Sequence, residues 1–242
     1  MIASTPSARK LRSVQKFVES LEREFMPLVS EVTKGPFVKG ILEGTFALDS
    51  MKFWTMTHYH LVMNDVKNLA KYITKARNEE EANFFLFMTI AETRMLEAIY
   101  ILWNALGLKK EQLERTEPRT ETLARTNYFS VLALYATPGE IALAILLNFP
   151  LWANGARRLS RGLKKHYGFG KPVAGTRKRD TDLLDRFSHA TQGFRHMAFK
   201  LIAADLTSRE AERRMRIVGR IAVETEALVW KEYSKPPLPF KV

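Results

Sequence analysis

The chain has 242 residues, of which 46% are hydrophobic, 11% aromatic and 26% charged, the composition of a folded chain rather than of a disordered or collagen-like one. Lysine and arginine number 38 against 26 aspartate and glutamate, a formal charge of +12, and there is no cysteine, which excludes disulfides, cysteine-held metal centres and a thiolate nucleophile. No stretch approaches about 18 unbroken apolar residues, and the opening residues lack the apolar run of a secretory signal, so the expectation is a cytoplasmic protein that does not cross a membrane.

In chain order, Leu11, Val14, Phe17, Val18, Leu21, Phe25, Leu28 and Val29 recur at three- and four-residue steps, which predicts a helix over 7–33 that Gly35 and Pro36 end. After the short segment PFVKGILEGT, a helix is expected from about Ser50 to Ala76. Asn78 with Glu81 then forms a capping-box start for a helix to about Leu106, with Gly107 just past its end. Phe84, Phe85 and Phe87 in that helix cannot all face one core, so a subunit interface, and with it a homo-oligomer, is the expected cover, the alternative being that one of them simply sits on the surface.

A helix near 119–135 precedes Thr137, Pro138 and Glu140, a cap, first-turn proline and box closure in the right order. The helix they open runs to the KKHY segment and is apolar nearly all round in its first half, which places it at the centre of a bundle. Pro150 within it should kink it or free a carbonyl. GFGKPVAGTRKRD is expected to be a mobile loop, followed by a helix over 181–205 and another, opened by Thr207 with Glu210, to about Tyr233. The prolines of the tail, residues 235–242, require an extended end. With no strand alternation, the fold class is all-α, about seven or eight helices with antiparallel neighbours, in one domain spanning 1–242.

The excess cations gather in groups: Arg157, Arg158, Arg161, Lys164 and Lys165 at one helix end, Arg177 to Arg179 in the loop, and Arg209, Arg213, Arg214, Arg216 and Arg220 on another helix. Acidic or apolar residues occupy the other faces, so these read as solvated faces, and no nucleic-acid-binding signature accompanies them.

The common enzyme fingerprints are missing too: no glycine-rich phosphate loop, HExxH or GxSxG occurs. Function must then be read from polar residues that interrupt apolar helices. His58 and His60 are two apart and point away from each other, so at most one faces the core. Asp185, His189 and His196 share a helical face and could ligate a metal with help from Glu92 or Glu97, although the repeated Glu-x-x-His pair of di-iron bundles is missing. Asn148 and Asn154 flank Trp152 in the most apolar helix; Asn148 is either bonded to a neighbouring helix or a ligand contact. Glu226 lies four before Trp230 on the same face, as a salt-bridge partner or as an acid or base.

Taken together, GPFVKGILEGTFALDSMKFWTMTHYHL, WNALGL, RTNYFSVL, TPGEIALAILLNFPLWAN and ETEALVWKEY resemble, in order and spacing over roughly residues 25–234, the TenA family of thiaminase II proteins with the haem-oxygenase-like fold. The pyrroloquinoline-quinone synthase-like proteins share that fold. The resemblance implies a central pocket for an aminopyrimidine, a cysteine that attacks the ring and a glutamate that manages protons. The glutamate falls on Glu226; the cysteine position falls on Asn148, which cannot be a nucleophile. The pyrimidine-binding aspartate falls on His58, a stacking aromatic on Leu61, and two tyrosines on Arg125 and Trp152.

The expected site is therefore a small-molecule pocket lined by His58, Leu61, Arg125, Asn148, Trp152 and Glu226, with no cofactor, in which any catalysis is non-covalent: Glu226 as acid or base, Asn148 orienting the ligand. His58 and Arg125 lining it would favour an acceptor-bearing or anionic ligand over an aminopyrimidine. Two rival readings are a quinone-synthase or metal-dependent oxidase using Asp185, His189 and His196, and a non-enzymatic binding or regulatory protein for an anionic ligand.

Overall fold

The computed structural model describes residues 6–109, 111–112, 115–188 and 192–235. Its regular elements among the described residues are nine helices: α1 (Ala8–Thr33), α2 (Pro36–Glu43), α3 (Asp49–Thr74), α4 (Glu79–Ala105), α5 (Thr120–Tyr135), α6 (Pro138–His166), α7 (Asp182–Phe187), α8 (Gln192–Asp205) and α9 (Arg209–Glu232). This is the all-α architecture expected, with two more breaks than periodicity alone reveals. PFVKGILE becomes α2 because Pro36 takes its first position and Gly44 closes it in the left-handed conformation. The helix expected over 181–205 is interrupted: α7 ends at a Ser188 cap, and His189 lies outside the described residues.

Local chemistry sets the helix ends. Ser7 caps α1 by accepting from the Lys10 amide. Thr137 and Glu140 form both halves of the box that starts α6. At α4 only half of the expected box forms: Asn78 accepts from the Glu81 amide, but the Glu81 carboxylate turns instead to the backbone and guanidinium of Arg77. At α9 the cap is Ser208, one residue later than the Thr207 expected, and its hydroxyl accepts from the Ala211 amide. Gly107, at φ 70°, closes α4 as anticipated. Pro150 does not end α6. The 168–180 segment is pinned: Pro172 pairs with Arg179, and Asp180 accepts from the Gly170 amide. Only Lys235 of the tail belongs to the described residues.

The apolar first half of α6 is buried as predicted, and α6 packs against α1, α2, α7, α8 and α9. On the other side α3 lies along α4 and α5, and α5 along α9. Phe84 and Phe85 both enter this core, meeting Phe194 and Tyr72, so they need no second subunit to cover them. Phe87 remains exposed. No helix among the described residues is long and apolar enough to cross a membrane.

Close packing on α6 depends on residues without side chains. A Cβ at Gly162 would lie 2.3 Å from the Ile41 carbonyl oxygen, and one at Gly155 2.2 Å from the Trp230 ring. An alanine ordinarily favours a helix interior by about 1 kcal/mol over glycine; backbone cannot yield here as a flexible side chain could. Gly162→Ala is expected to lower unfolding free energy by about 1–3 kcal/mol, measured by urea denaturation; a variant more stable than the parent would show that α2 does not pack this closely.

Candidate functional site

Five of the six residues expected to line the pocket do so. His58 and Leu61 on α3, Arg125 on α5, and Asn148 and Trp152 on α6 face one cavity of about 660 Å³. Their spacing explains the convergence: His58, Leu61 and Asp65 fall on one stripe of α3, and Asn148 and Trp152 are one turn apart on α6. Met88, Glu92 and Met95 of α4, Phe129 of α5 and Phe149 of α6 complete a mostly apolar wall.

The sixth, Glu226, does not reach the cavity. Its side chain is fully buried behind the wall, drawn there by three donors. Trp230 Nε1 donates to Oε1 at 3.0 Å, whereas Asn148 Nδ2 at 3.0 Å and Arg125 Nε at 3.1 Å donate to Oε2. A carboxylate with both oxygens engaged in this way is fixed in place. Glu224, two residues earlier, is exposed, as helical geometry requires.

Arg125 is the link between that buried carboxylate and the cavity. Its Nε meets Glu226, its terminal nitrogen bonds Asp65, and its guanidinium lies 4.2 Å over the Phe129 ring. Burial opposes its charge, but Asp65 and Glu226 hold the cation. Arg125 therefore offers the cavity no uncompensated positive charge, contrary to what its type alone suggested. Burial pushes the Asp65 carboxyl above its ordinary value despite Arg125, with Glu226 adding repulsion.

His58 is fully buried in an aromatic box: its ring stacks on Trp54 at 3.9 Å, meets the Trp152 ring edge-on at 4.1 Å, and Nδ1 lies 3.3 Å from the Tyr233 hydroxyl. Burial, reinforced by Arg125, holds the imidazole well below its usual pKa, so it is neutral. His60 is only half-buried. Two polar atoms of the site have no protein partner: His58 Nε2 and Asn148 Oδ1. An unsatisfied buried group costs about 1–3 kcal/mol, so both are candidates for a ligand's hydrogen bonds.

Glu92, like Asp65, is a titratable group of the cavity that sequence reasoning left outside the pocket. It lines the cavity, and burial, with repulsion from Asp65, pushes its carboxyl up to about 8. The signal was present: Glu92 stands on the apolar stripe of Met88 and Met95, an unlikely place for a solvated carboxylate. Of the other residues named for a metal, the described ones do not assemble, and His189 lies outside the described residues. Asp185 is bonded to Ser160, Lys164 and Thr181, Glu97 pairs with Lys178, and His196 is exposed. Among the described residues no group of three His, Asp or Glu side chains could hold a metal ion.

The model of the TENA/THI-4/PQQC family matches residues 23–234. A TenA homologue from P. horikoshii OT3 superposes with a TM-score of 0.69 at 19% identity, over 90% of this chain and 97% of that one. A TenA homologue from Pseudomonas syringae pv. tomato gives 0.75 at 11% identity, over 95% and 98%. A domain of unknown function with a haem oxygenase-like fold from Shewanella denitrificans OS217 gives 0.65 at 12% identity, over 95% and 93%. No curated protein matches the chain.

Two predictions follow from the wall. Glu226→Ala leaves Arg125, Asn148 and Trp230 without their shared acceptor and should cost about 3–5 kcal/mol in denaturant unfolding; a loss under about 1 kcal/mol would show these donors find other partners. Glu92 holds its proton more tightly folded than unfolded, so stability is full below its ordinary value of 4.5 and falls as pH rises to about 8. Glu92→Gln should flatten that part of the stability profile, whereas an unchanged slope would place the titration elsewhere.

Proposed function

Because the chain belongs to the TENA/THI-4/PQQC family, we propose that its central cavity binds a thiamine-related aminopyrimidine. The observation that carries this reading is the pair of unpartnered atoms, Asn148 Oδ1 and His58 Nε2, beside a cavity with room for a small molecule. An amide oxygen accepts, and a neutral imidazole nitrogen can accept or donate. An amino group on a flat ring supplies the donors that Asn148 lacks, and a ring nitrogen can take a proton from neutral Glu92. Trp152 and Phe149 offer apolar faces to the ring itself.

His58 and Arg125 suggested a ligand rich in acceptors or negative charge. With Arg125 clasped by Asp65 and Glu226 and His58 neutral, the floor presents little positive potential, which favours an N–H-bearing ring over an acid.

With no cysteine in the chain, turnover cannot follow a thiolate route. In a hydrolytic reaction Glu92 is the proton donor and acceptor at the ligand, because it faces the cavity and titrates near 8. Glu226 is then a positioning residue: by accepting from Asn148 Nδ2 it turns Oδ1 of that amide away from itself and leaves it without a protein partner.

Calorimetric titration tests the binding step. The aminopyrimidine of thiamine should bind at least about tenfold more tightly than its analogue carrying an oxo group in place of the amine, since a mismatched buried pair costs about 1–3 kcal/mol. The opposite order would reject the reading, as would stabilisation only by carboxylates or phosphates. Asn148→Ala should remove most of the preference. If the protein hydrolyses the bound ligand, Glu92→Gln should reduce turnover by about 10²–10⁴-fold while affinity changes little; unaltered turnover would remove Glu92 from its role.

A further inference from the structure

The cavity is larger than one ring requires, and its two ends differ in charge. At about 660 Å³ it falls in the range of about 300–1,000 Å³ that encloses an extended, drug-sized molecule. The floor holds Arg125 against two carboxylates, Asp65 and Glu226. Phe87, Ile90 and Arg94 form an exposed stripe of α4 that also lines the cavity, so they mark its mouth. Arg186 of α7 lines it as well.

The cations of the mouth are less committed than the one at the floor. Arg94 has no charged or hydrogen-bonding partner among the described residues. Arg186 reaches Asp182 only at 3.6 Å, with its side chain 47% exposed. The nearby Glu97 carboxylate is already paired with Lys178. Two guanidinium groups therefore line the mouth, one unpaired among the described residues and one held only loosely by Asp182, while at the floor one cation faces two carboxylates.

We propose that the ligand of this cavity carries an anionic arm, held at the mouth by Arg94 and Arg186, while its ring occupies the floor beside Asn148 and His58. The inference deepens the reading of this cavity as the ligand site and adds the chemical class: a molecule with an N–H-bearing ring at one end and an acidic group, such as a phosphate ester, at the other. The guanidinium groups suit the oxygens of such a group, and their exposure leaves the ligand's arm partly in solvent. Binding that depends on these charges weakens with added salt.

Two matched pairs of probes test it on the full chain. The dye anilinonaphthalene sulfonate and its uncharged analogue N-phenylnaphthylamine differ by the sulfonate; thiamine monophosphate and thiamine differ by the phosphate. In fluorescence and calorimetric titrations the anionic member of each pair should bind more tightly. Arg94→Gln and Arg186→Gln should each reduce that preference by about tenfold, with affinity for the neutral dye unchanged and thermal unfolding as in the parent. A dye preference that survives in the double variant overturns the proposal. If neither thiamine nor its phosphate binds but the dye preference depends on both arginines, the anionic arm stands and the aminopyrimidine reading falls. If thiamine binds, its phosphate adds nothing and the dye preference ignores the arginines, the reverse holds.

Discussion

The Arg125 guanidinium, clasped between Asp65 and Glu226, is the interaction from which the character of this cavity follows. An arginine taken from water into a helical core requires countercharges of good geometry, or its burial would destabilise the fold by several kcal/mol. Here α3 and α9 provide one carboxylate each, and α5 carries the cation between them. The cluster ties three helices together and at the same time removes the positive charge that a lone arginine would give the site. Its second acid also serves two further donors, Asn148 and Trp230, so one carboxylate fixes both the arginine and an amide of the cavity wall.

That arrangement divides two roles that a single glutamate might have combined. Glu226 is locked by its donors and shapes the wall; Glu92, its carboxyl pushed up to about 8 by burial, faces the cavity. Burial in the aromatic box of Trp54, Trp152 and Tyr233, reinforced by Arg125, keeps His58 neutral, with a ring nitrogen able to accept or donate. The floor thus carries little uncompensated positive charge, while Arg94 and Arg186 stand at the mouth.

Much of this was legible in the sequence. The three-and-four periodicity placed every long helix, and the Thr137–Pro138–Glu140 signal fixed the start of α6 to the residue. His58, Leu61, Arg125, Asn148 and Trp152 each stand where the family pattern has a different residue, and all five face the cavity. What sequence could not supply was pairing across the fold. Arg125 meets Asp65 at a separation of 60 residues and Glu226 at 101, so nothing local reveals that its charge is neutralised or that Glu226 lies behind the wall. Asp65 and Glu92 look like solvated acids one residue at a time; only their stripes, shared with His58 and with Met88 and Met95, betray them. The smaller differences are local competitions: Ser208 outbids Thr207 for a cap, and Arg77 takes the Glu81 carboxylate from its box.

A crystal structure with the aminopyrimidine of thiamine bound to the intact protein tests the central claim most directly. The ring should lie in the cavity against Trp152, with its amino group within hydrogen-bonding distance of Asn148 Oδ1 and the Arg125–Glu226 pair undisturbed. A ring bound elsewhere, or one that enters by displacing Glu226 from Arg125 while Asn148 Oδ1 stays unpartnered, would contradict the account.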